Sequence, residues 1–411
     1  MKVVKVKKDK RLDNKIDRSL GIQTYGEKND YPQSVMEIIS ASVTGKSCLD
    51  VYRKFINGKG FQDEDLYGKI LNSKGETSDI ILSKISDDYS SFGGFALHLN
   101  YNLNYKISEI QVIPFETLRF EELNDDGNFS HVLYHPDWGK RNEKIKKFNK
   151  DDIQRFSLFD PLKVKEQINE VGIENYKGQV FYFSNKGVKQ YPLPIFDPSL
   201  TDMSAEEGLS NVTYRNIRNN FFPAGMLVEI AEKDQTEQQA EATAENIKEL
   251  QGDEKAGRMF YVQVADKESV PEFIPFDVKN YDKEFTASKE SIKDNIGRCF
   301  SQPPILRSED VAGNLGAELI HNAYRFYNSI TSNERMNIEL VMAEVLSFWF
   351  EPLNVSTEII PLSFNVELSL AERLGDNFDK FMEIYGSENP KKAIVLSKLF
   401  GISENEINEI L

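Results

Sequence analysis

Four histidines make up the whole imidazole inventory of the chain: His98, His131, His135 and His321. The pair at 131 and 135 has the spacing at which a helix offers two rings to one zinc ion. It lies, however, in the strand-like run HVLYH, which ends at Pro136. On a strand four residues span about 13 Å, so the two rings cannot share a metal. Gly45-Lys46-Ser47 has the ending of a phosphate-cradling P-loop, but the first glycine of that pattern falls on Ser40. The preceding MEIISASV reads as helix, whereas a P-loop follows a strand, so Gly45-Lys46-Ser47 reads as a turn connecting helices. Gly58-x-Gly60 lacks the third glycine of a dinucleotide turn and leads into a run of Asp and Glu that would repel a pyrophosphate. There is no G-x-S-x-G and no Cys/His pair. Nothing here nominates a catalytic residue, a metal site or a cofactor, and the expectation is a protein that is not an enzyme.

Charge is more organised than chemistry. Between Glu229 and Lys255 there are nine acidic residues and three lysines. Within that run Glu237, Glu241, Glu245 and Glu249 recur every fourth residue, which stacks four carboxylates on one face of a helix. Each like-charge neighbour costs roughly 0.2–0.5 kcal/mol, so a solvated face or a docking surface for a basic partner is implied. A second helix, Lys283–Phe300, places Lys289 and Lys293 on one flank and Glu290 and Asp294 about 100° around. Opposite flanks suit side-by-side packing of identical helices in a ring. Pairing within the helix, Glu290 with Lys293 and Asp294 with Arg298, accounts for the same residues equally well.

The elements that carry these groups belong to a chain of 411 residues, with 66 Asp+Glu against 50 Lys+Arg and a net charge of -16. That length suggests two or three domains. Forty per cent hydrophobic residues are too many for a disordered chain, and the negative charge argues against a protein that coats nucleic acid. Cys48 and Cys299 permit one disulfide at most, and such sparse usage fits a reducing compartment. The basic start MKVVKVKKDK has no apolar stretch behind it, so it does not read as a secretory signal. The longest apolar stretch, Val341–Phe350, is too short to span a bilayer. The expectation is a soluble protein made inside the cell.

Along the chain, residues 1–28 read as a basic arm. Helical spacing follows from Tyr31 to about Gly58, with a second helix over Glu64–Tyr89 interrupted near Gly75. Residues 91–193 alternate in short runs separated by turns, as in an antiparallel sheet or a small α+β domain. Asp202–Asn220 reads as helix, Phe222–Ile230 as strand, Thr236–Gln251 as helix and Met259–Val264 as strand. A polar loop follows the helix ending at Phe300. Ala317–Phe350 is a long helical pattern, with Thr331-x-x-Glu334 marking a capping box and hence a break. Ile359–Leu370 reads as strand, and two or three short helices follow Glu372, split at Asn389-Pro390 and Gly401. No fixed-period repeat and no sustained heptad is present.

In this order the motifs resemble those of the portal proteins of tailed bacteriophages. Asn29-Asp30-Tyr31-Pro32, followed by a helix ending in Ile56-Asn57-Gly58-Lys59-Gly60-Phe61, is similar to the entry of the family's wing domain. Tyr191-Pro192-Leu193-Pro194 leads into a helix, and Phe221-Phe222-Pro223-Ala224-Gly225 precedes an apolar run and a Glu-rich helix. Ile296-Gly297-Arg298-Cys299-Phe300-Ser301-Gln302-Pro303-Pro304-Ile305-Leu306 looks like the family's helix-ending double-proline turn, with Gly297 where alanine is more usual.

The resemblance implies an α+β portal fold laid out along the chain. Residues 29–200 would be the wing, 201–220 and 277–300 the two stem helices, and 221–276 an α/β clip. Residues 301–316 would be a tunnel loop, 317–370 the long kinked wing helix with a return strand, and 371–411 a small helical crown. It implies a ring of about twelve copies at one capsid vertex. Double-stranded DNA would be driven through that ring by a terminase large subunit whose ATPase is separate. Capsid and scaffold proteins and a head-completion adaptor on the clip would be the other partners. It implies a virion component assembled in the host bacterial cytoplasm, with no membrane and no cofactor. Arg307, Ser308 and Asn314 would face the channel, Lys289, Glu290, Lys293 and Asp294 the neighbouring stem, and Glu237, Glu241, Glu245 and Glu249 the adaptor. An α+β enzyme with an unrecognised site, or another oligomeric connector or baseplate protein, are the rival readings.

Overall fold

The computed structural model describes residues 14–124, 129–138, 150–187, 189–218, 225–230, 259–264, 281–307, 317–364, 378–386 and 392–400. The chain forms two compact units, one of Met1–Met36, Ser47–Asp197 and Gly297–Leu411, the other of Glu37–Lys46 and Pro198–Ile296. The fold class is α+β.

The larger unit is built on one eight-stranded sheet of order β1-β2-β5-β6-β7-β8-β3-β4. Its strands are β1 (Ile16–Asp17), β2 (Ile22–Gln23), β3 (Gly94–Tyr101), β4 (Ile107–Val112), β5 (Leu118–Glu121), β6 (His131–Tyr134), β7 (Gln154–Leu158) and β8 (Gln179–Ser184). Neighbours are antiparallel except β7 and β8, which run parallel through Ser157↔Gln179 and Leu158↔Val180. Parallel neighbours need a crossover, and helix α4 (Val164–Val171) supplies it. The sheet is therefore mixed where the alternation suggested antiparallel pairing throughout.

Helix α3 (Ser78–Phe92) lies against β3, with the Tyr89 ring 6.0 Å from Phe95 and 5.5 Å from Phe183. Burying an aromatic of this size contributes about 1.5–3 kcal/mol. Gly93 ends α3 in the left-handed region at φ 77°, and a Cβ there would collide with the Leu193 carbonyl and Asn185. Of the helix expected over Glu64–Tyr89 with an interruption near Gly75, only the part beyond the interruption forms, from Ser78. Residues 64–77 are turns tied down by an Ile70↔Thr77 bridge.

The helical run expected from Tyr31, with a connecting turn at Gly45-Lys46-Ser47, is two helices, α1 (Tyr31–Ala41) and α2 (Val43–Asn57), which divide at Ser42 and not at the glycine. Past α2, Gly58 and Gly60 adopt φ 57° and 99°, and the Gly58 Cα approaches the Ile360 carbonyl too closely for a side chain. Lys59 N–H donates to Ile360 O at 2.8 Å and Ile360 N–H to Gly60 O at 3.0 Å. The glycine pair thus serves a chain crossing. The strand expected over Ile359–Leu370 is reduced, among the described residues, to one bridge between Phe61 and Ile359.

The long helical pattern is broken as expected, into α7 (Ala317–Ile330) and α8 (Ser332–Leu346). The capping box does not form. Thr331 makes no side-chain cap, and its hydroxyl donates back to Tyr327 O at 3.0 Å. The break is held by buried Arg335, whose Nη2 donates to Asn328 O at 2.6 Å and whose Nη1 donates to Thr331 Oγ1 at 2.8 Å and Phe55 O at 2.7 Å. A guanidinium placed on the carbonyl end of a helix suits both the orphan acceptors and the dipole. Glu334, cast as the other half of the box, accepts instead from Tyr52 OH at 3.0 Å. Near the C-terminus, helices α9 (Phe378–Tyr385) and α10 (Lys392–Phe400) meet through Phe381 and Phe400, 5.7 Å apart.

The smaller unit contains helix α5 (Leu200–Arg218), two parallel strands, β9 (Gly225–Ile230) and β10 (Met259–Val264), and most of helix α6 (Tyr281–Cys299). β9 and β10 pair in register from Met259↔Gly225 to Val264↔Ile230.

Candidate functional site

Helices α5 and α6 line a groove of about 310 Å³, with Glu206, Leu209, Thr213 and Tyr214 on one side and Lys289 and Ile292 on the other. Lys289 and Glu290 are exposed, as an unpaired flank requires. Lys293 is half-buried and, like Asp294, already engaged in an interaction. Part of the charge on these two flanks is therefore already used. The four stacked glutamates, Glu237, Glu241, Glu245 and Glu249, lie outside the described residues, as do Ser308 and Asn314.

Arg307, the remaining channel-facing candidate, ends the 3-10 turn Pro304–Arg307 and is half-buried. Its guanidinium lies over Gly297, so that a Cβ at that position would overlap Nη1, Cζ and Cδ. This gives a physical reason for glycine at 297: the arginine occupies the space an alanine methyl would take. The end of α6 is closed by Ser301 N–H on Arg298 O at 2.9 Å and Gln302 N–H on Gly297 O at 3.1 Å. These two bonds form a Schellman motif, and its left-handed residue is Ser301, at φ 51°. Gln302 follows, 5% exposed, and among the described residues neither end of its amide has a hydrogen-bond partner.

Two sequence motifs separated by about 160 residues meet around a buried arginine that sequence reasoning missed. Asn29 stands at φ 60°, and its Oδ1 accepts from Arg119 Nε at 2.5 Å and Tyr25 N–H at 3.0 Å. Arg119 Nη2 donates to Asn29 O at 2.9 Å, and Nη1 donates to Leu118 O and Glu116 O at 2.7 and 2.9 Å. Tyr25 stacks on Tyr191 at 4.1 Å and on Tyr31 at 5.2 Å. Tyr25 OH donates to Pro192 O at 2.6 Å, Tyr191 OH donates to Gln23 O at 2.7 Å, and Tyr31 OH donates to Asp197 at 2.5 Å. Burial pushes the Tyr25 and Tyr191 hydroxyls up and the Arg119 guanidinium down, each toward the neutral form. The Asn29–Pro32 and Tyr191–Pro194 motifs are thus two sides of one staple. The signal in sequence was a lone arginine between Leu118 and Phe120 in a strand otherwise apolar on that stretch.

The P-loop look-alike has an equally local account. Ser42 caps α2, its hydroxyl accepting from Gly45 N–H at 2.9 Å and donating to the carboxylate of Glu206. Glu206, 6% exposed, also accepts from Thr44 N–H at 3.2 Å and Thr44 Oγ1 at 2.6 Å. A protein carboxylate therefore occupies the helix N-terminus where a phosphate would sit. Gly45 is glycine because the Ser42 hydroxyl and the Met203 sulfur leave no room for a Cβ. His131 faces Glu121 at 3.0 Å and His135 is buried beside Trp138. Among the described residues no group of three metal-ligating side chains comes together, and Cys48 and Cys299 are both free thiols. No described helix is long and apolar enough to cross a membrane.

No family model and no curated protein matches the sequence. Solved structures do. A chain of the virion of a native gene transfer agent particle is 15% identical, with a TM-score of 0.49, over 89% of this chain and 93% of that one. A chain from the neck of the native particle, computed with C12 symmetry, is 15% identical, with a TM-score of 0.44, over 89% and 93%. An HK97-family phage portal protein from Corynebacterium diphtheriae is 10% identical, with a TM-score of 0.35, over 70% and 82%.

Proposed function

We propose that the chain is the subunit of a portal: a ring at one vertex of a phage-like capsid whose central channel passes double-stranded DNA during packaging and ejection. The observation that carries this reading is the order of elements around the smaller unit. The chain leaves the larger unit near Pro198, runs through α5, β9, β10 and α6, returns at Gly297 and turns at Pro303-Pro304 before the broken pair α7–α8. That is the helix, clip, helix, turn and kinked-helix order that the sequence motifs imply. In this reading α5 and α6 are the stem, the strands between them the clip, and residues 301–316 the tunnel loop.

The chemistry is consistent with a conduit. A channel should not hold its cargo, since every cation–phosphate contact resists sliding. The chain has a net charge of -16, and the turn's arginine lies against its own helix. ATP hydrolysis would belong to a terminase large subunit, docking to a head-completion adaptor at the clip, and placement to capsid and scaffold proteins. The ring would hold twelve copies, assembled in the host cytoplasm and retained in the virion.

The test is the size and shape of the purified chain. Light scattering and negative-stain images should show a ring on the order of several hundred kilodaltons with a central hole. A discrete monomer or dimer at every concentration would overturn the reading.

A further inference from the structure

Helix α8 is apolar on two sides. Ile338, Val341 and Val345 are buried in the larger unit, while Met336 and Leu340, on the other side, are 49% and 61% exposed. On α7, Leu319 and Phe326 are 41% and 55% exposed. These four belong to a single series. Stepping alternately by three and four residues from Leu319 to Ala343, every side chain is exposed and none is charged. That step is the seam along which one helix receives another. The sequence hides it because the series alternates large apolar residues with Asn322, Ser329 and Asn333. Beside its C-terminal half lies an open groove of about 560 Å³, walled by Met336, Leu340 and the charged Glu339 on one side and Thr357, Pro361 and the charged Glu358 on the other.

We propose that this seam is an interface for a second copy of the chain, an assignment that rests on the ring reading for its stoichiometry. Four half-exposed large side chains leave on the order of 400 Å² of apolar surface in water. That is about half of the roughly 800 Å² each partner contributes to a stable interface, and the groove beside it extends the area. The charge pattern selects the occupant. A basic protein or a nucleic acid would be recognised by carboxylates or by lysines and arginines, and the seam carries neither. Two copies that each carry a net charge of -16 repel one another, and a line of uncharged side chains such as this seam adds nothing to that repulsion. In a head-to-tail ring this seam meets a different patch of the neighbour, as a heterologous contact requires.

The experiment places single charges on the seam: Phe326→Glu, Leu340→Glu and Asn333→Glu, with Leu162→Glu as a control at a side chain 90% exposed elsewhere. Asn333→Glu removes no apolar side chain, so it keeps the test sound if the other two fold poorly. Circular dichroism checks the fold, and light scattering reads the assembly. Each seam variant should lose the large species or weaken association at least tenfold with its helix content intact, and Leu162→Glu should assemble like the parent. A ring indifferent to all three seam charges would overturn the inference and leave the portal reading standing. A parent that forms only a small oligomer, dissolved by the same charges, would keep the seam and discard the ring. A parent monomeric at all concentrations would overturn both.

Discussion

The carboxylate of Glu206 accepts the Thr44 hydroxyl at 2.6 Å and the Thr44 amide at 3.2 Å, and so caps a helix from a residue 162 positions beyond Thr44 in the chain. The same carboxylate takes the Ser42 hydroxyl, which in turn accepts from Gly45 N–H. Glu206→Ala strips three donors of their acceptor in a buried place. Hydrogen bonds to a charged group are worth about 1.5–3 kcal/mol and a lost cap about 1. Urea denaturation should therefore show a loss of about 2 kcal/mol or more, with Glu206→Gln losing less because one carbonyl oxygen remains. A Glu206→Ala protein as stable as the parent would sink the capping account.

Gly297 and Arg307 should behave as one unit. Gly297→Ala gains up to about 1 kcal/mol of helix propensity, but its methyl displaces the guanidinium above it. The two effects oppose, so the single substitution should shift stability little. In an Arg307→Ala background that obstacle is removed, and the same change should stabilise by up to about 1 kcal/mol. A double-mutant cycle measures the difference. Strict additivity would mean that the arginine does not lie where the structure puts it.

How much of this was legible in the sequence depends on where each element's cause lies. β10 was expected over Met259–Val264 and is found there, and α6 differs from its expected span by two residues at the start. Local propensity and period suffice for both. A turn was legible at Gly45, but the break itself falls at Ser42, where no Gly or Pro stands and where the partner, Glu206, lies on another helix. The parallel pairing of β7 with β8 depends on a crossover, which alternation within a strand cannot report. At Thr331 the position of the break was readable, but Arg335, rather than a capping box, supplies the hydrogen bonds. The site residues divide in the same way. The charge flanks of α6 follow from 3.6-residue geometry, whereas the burial of Arg307 against Gly297 is a contact made by a turn.

Arg119 should tolerate no substitution. It is fully buried, and its five-donor fork satisfies the Asn29 side chain and carbonyl together with two further backbone carbonyls. Arg119→Met leaves those acceptors unpaired among the stacked tyrosines and should cost about 3 kcal/mol or more. Arg119→Lys keeps the charge but not the planar fork, so it too should lose more than about 1 kcal/mol. Thermal unfolding of both proteins tests the ranking, and a lysine variant equal to the parent would refute the geometric argument.

Asp88 makes stability depend on pH in the direction opposite to a paired carboxylate. Burial, reinforced by Glu116, pushes its carboxyl well above the usual carboxylate range, while a hydrogen bond from the Phe115 amide only partly opposes this. Its Oδ2 is buried without a hydrogen-bond partner among the described residues. In the unfolded chain an aspartate titrates near about 3.9. Below that pH both states hold the proton and the group has no effect. As pH rises, the unfolded chain releases its proton first, so the folded state loses stability until Asp88 itself ionises. Asp88→Asn, which cannot ionise, should therefore leave stability near pH 3.5 almost unchanged and raise it at pH 7.5. Other carboxylates, such as Glu76 and Glu109, are lowered and contribute the usual loss toward acid. They are common to both proteins and cancel in the difference. Chemical denaturation of parent and variant at the two pH values isolates the Asp88 contribution. An equal difference at both would show that the asparagine acts through packing and not through the proton.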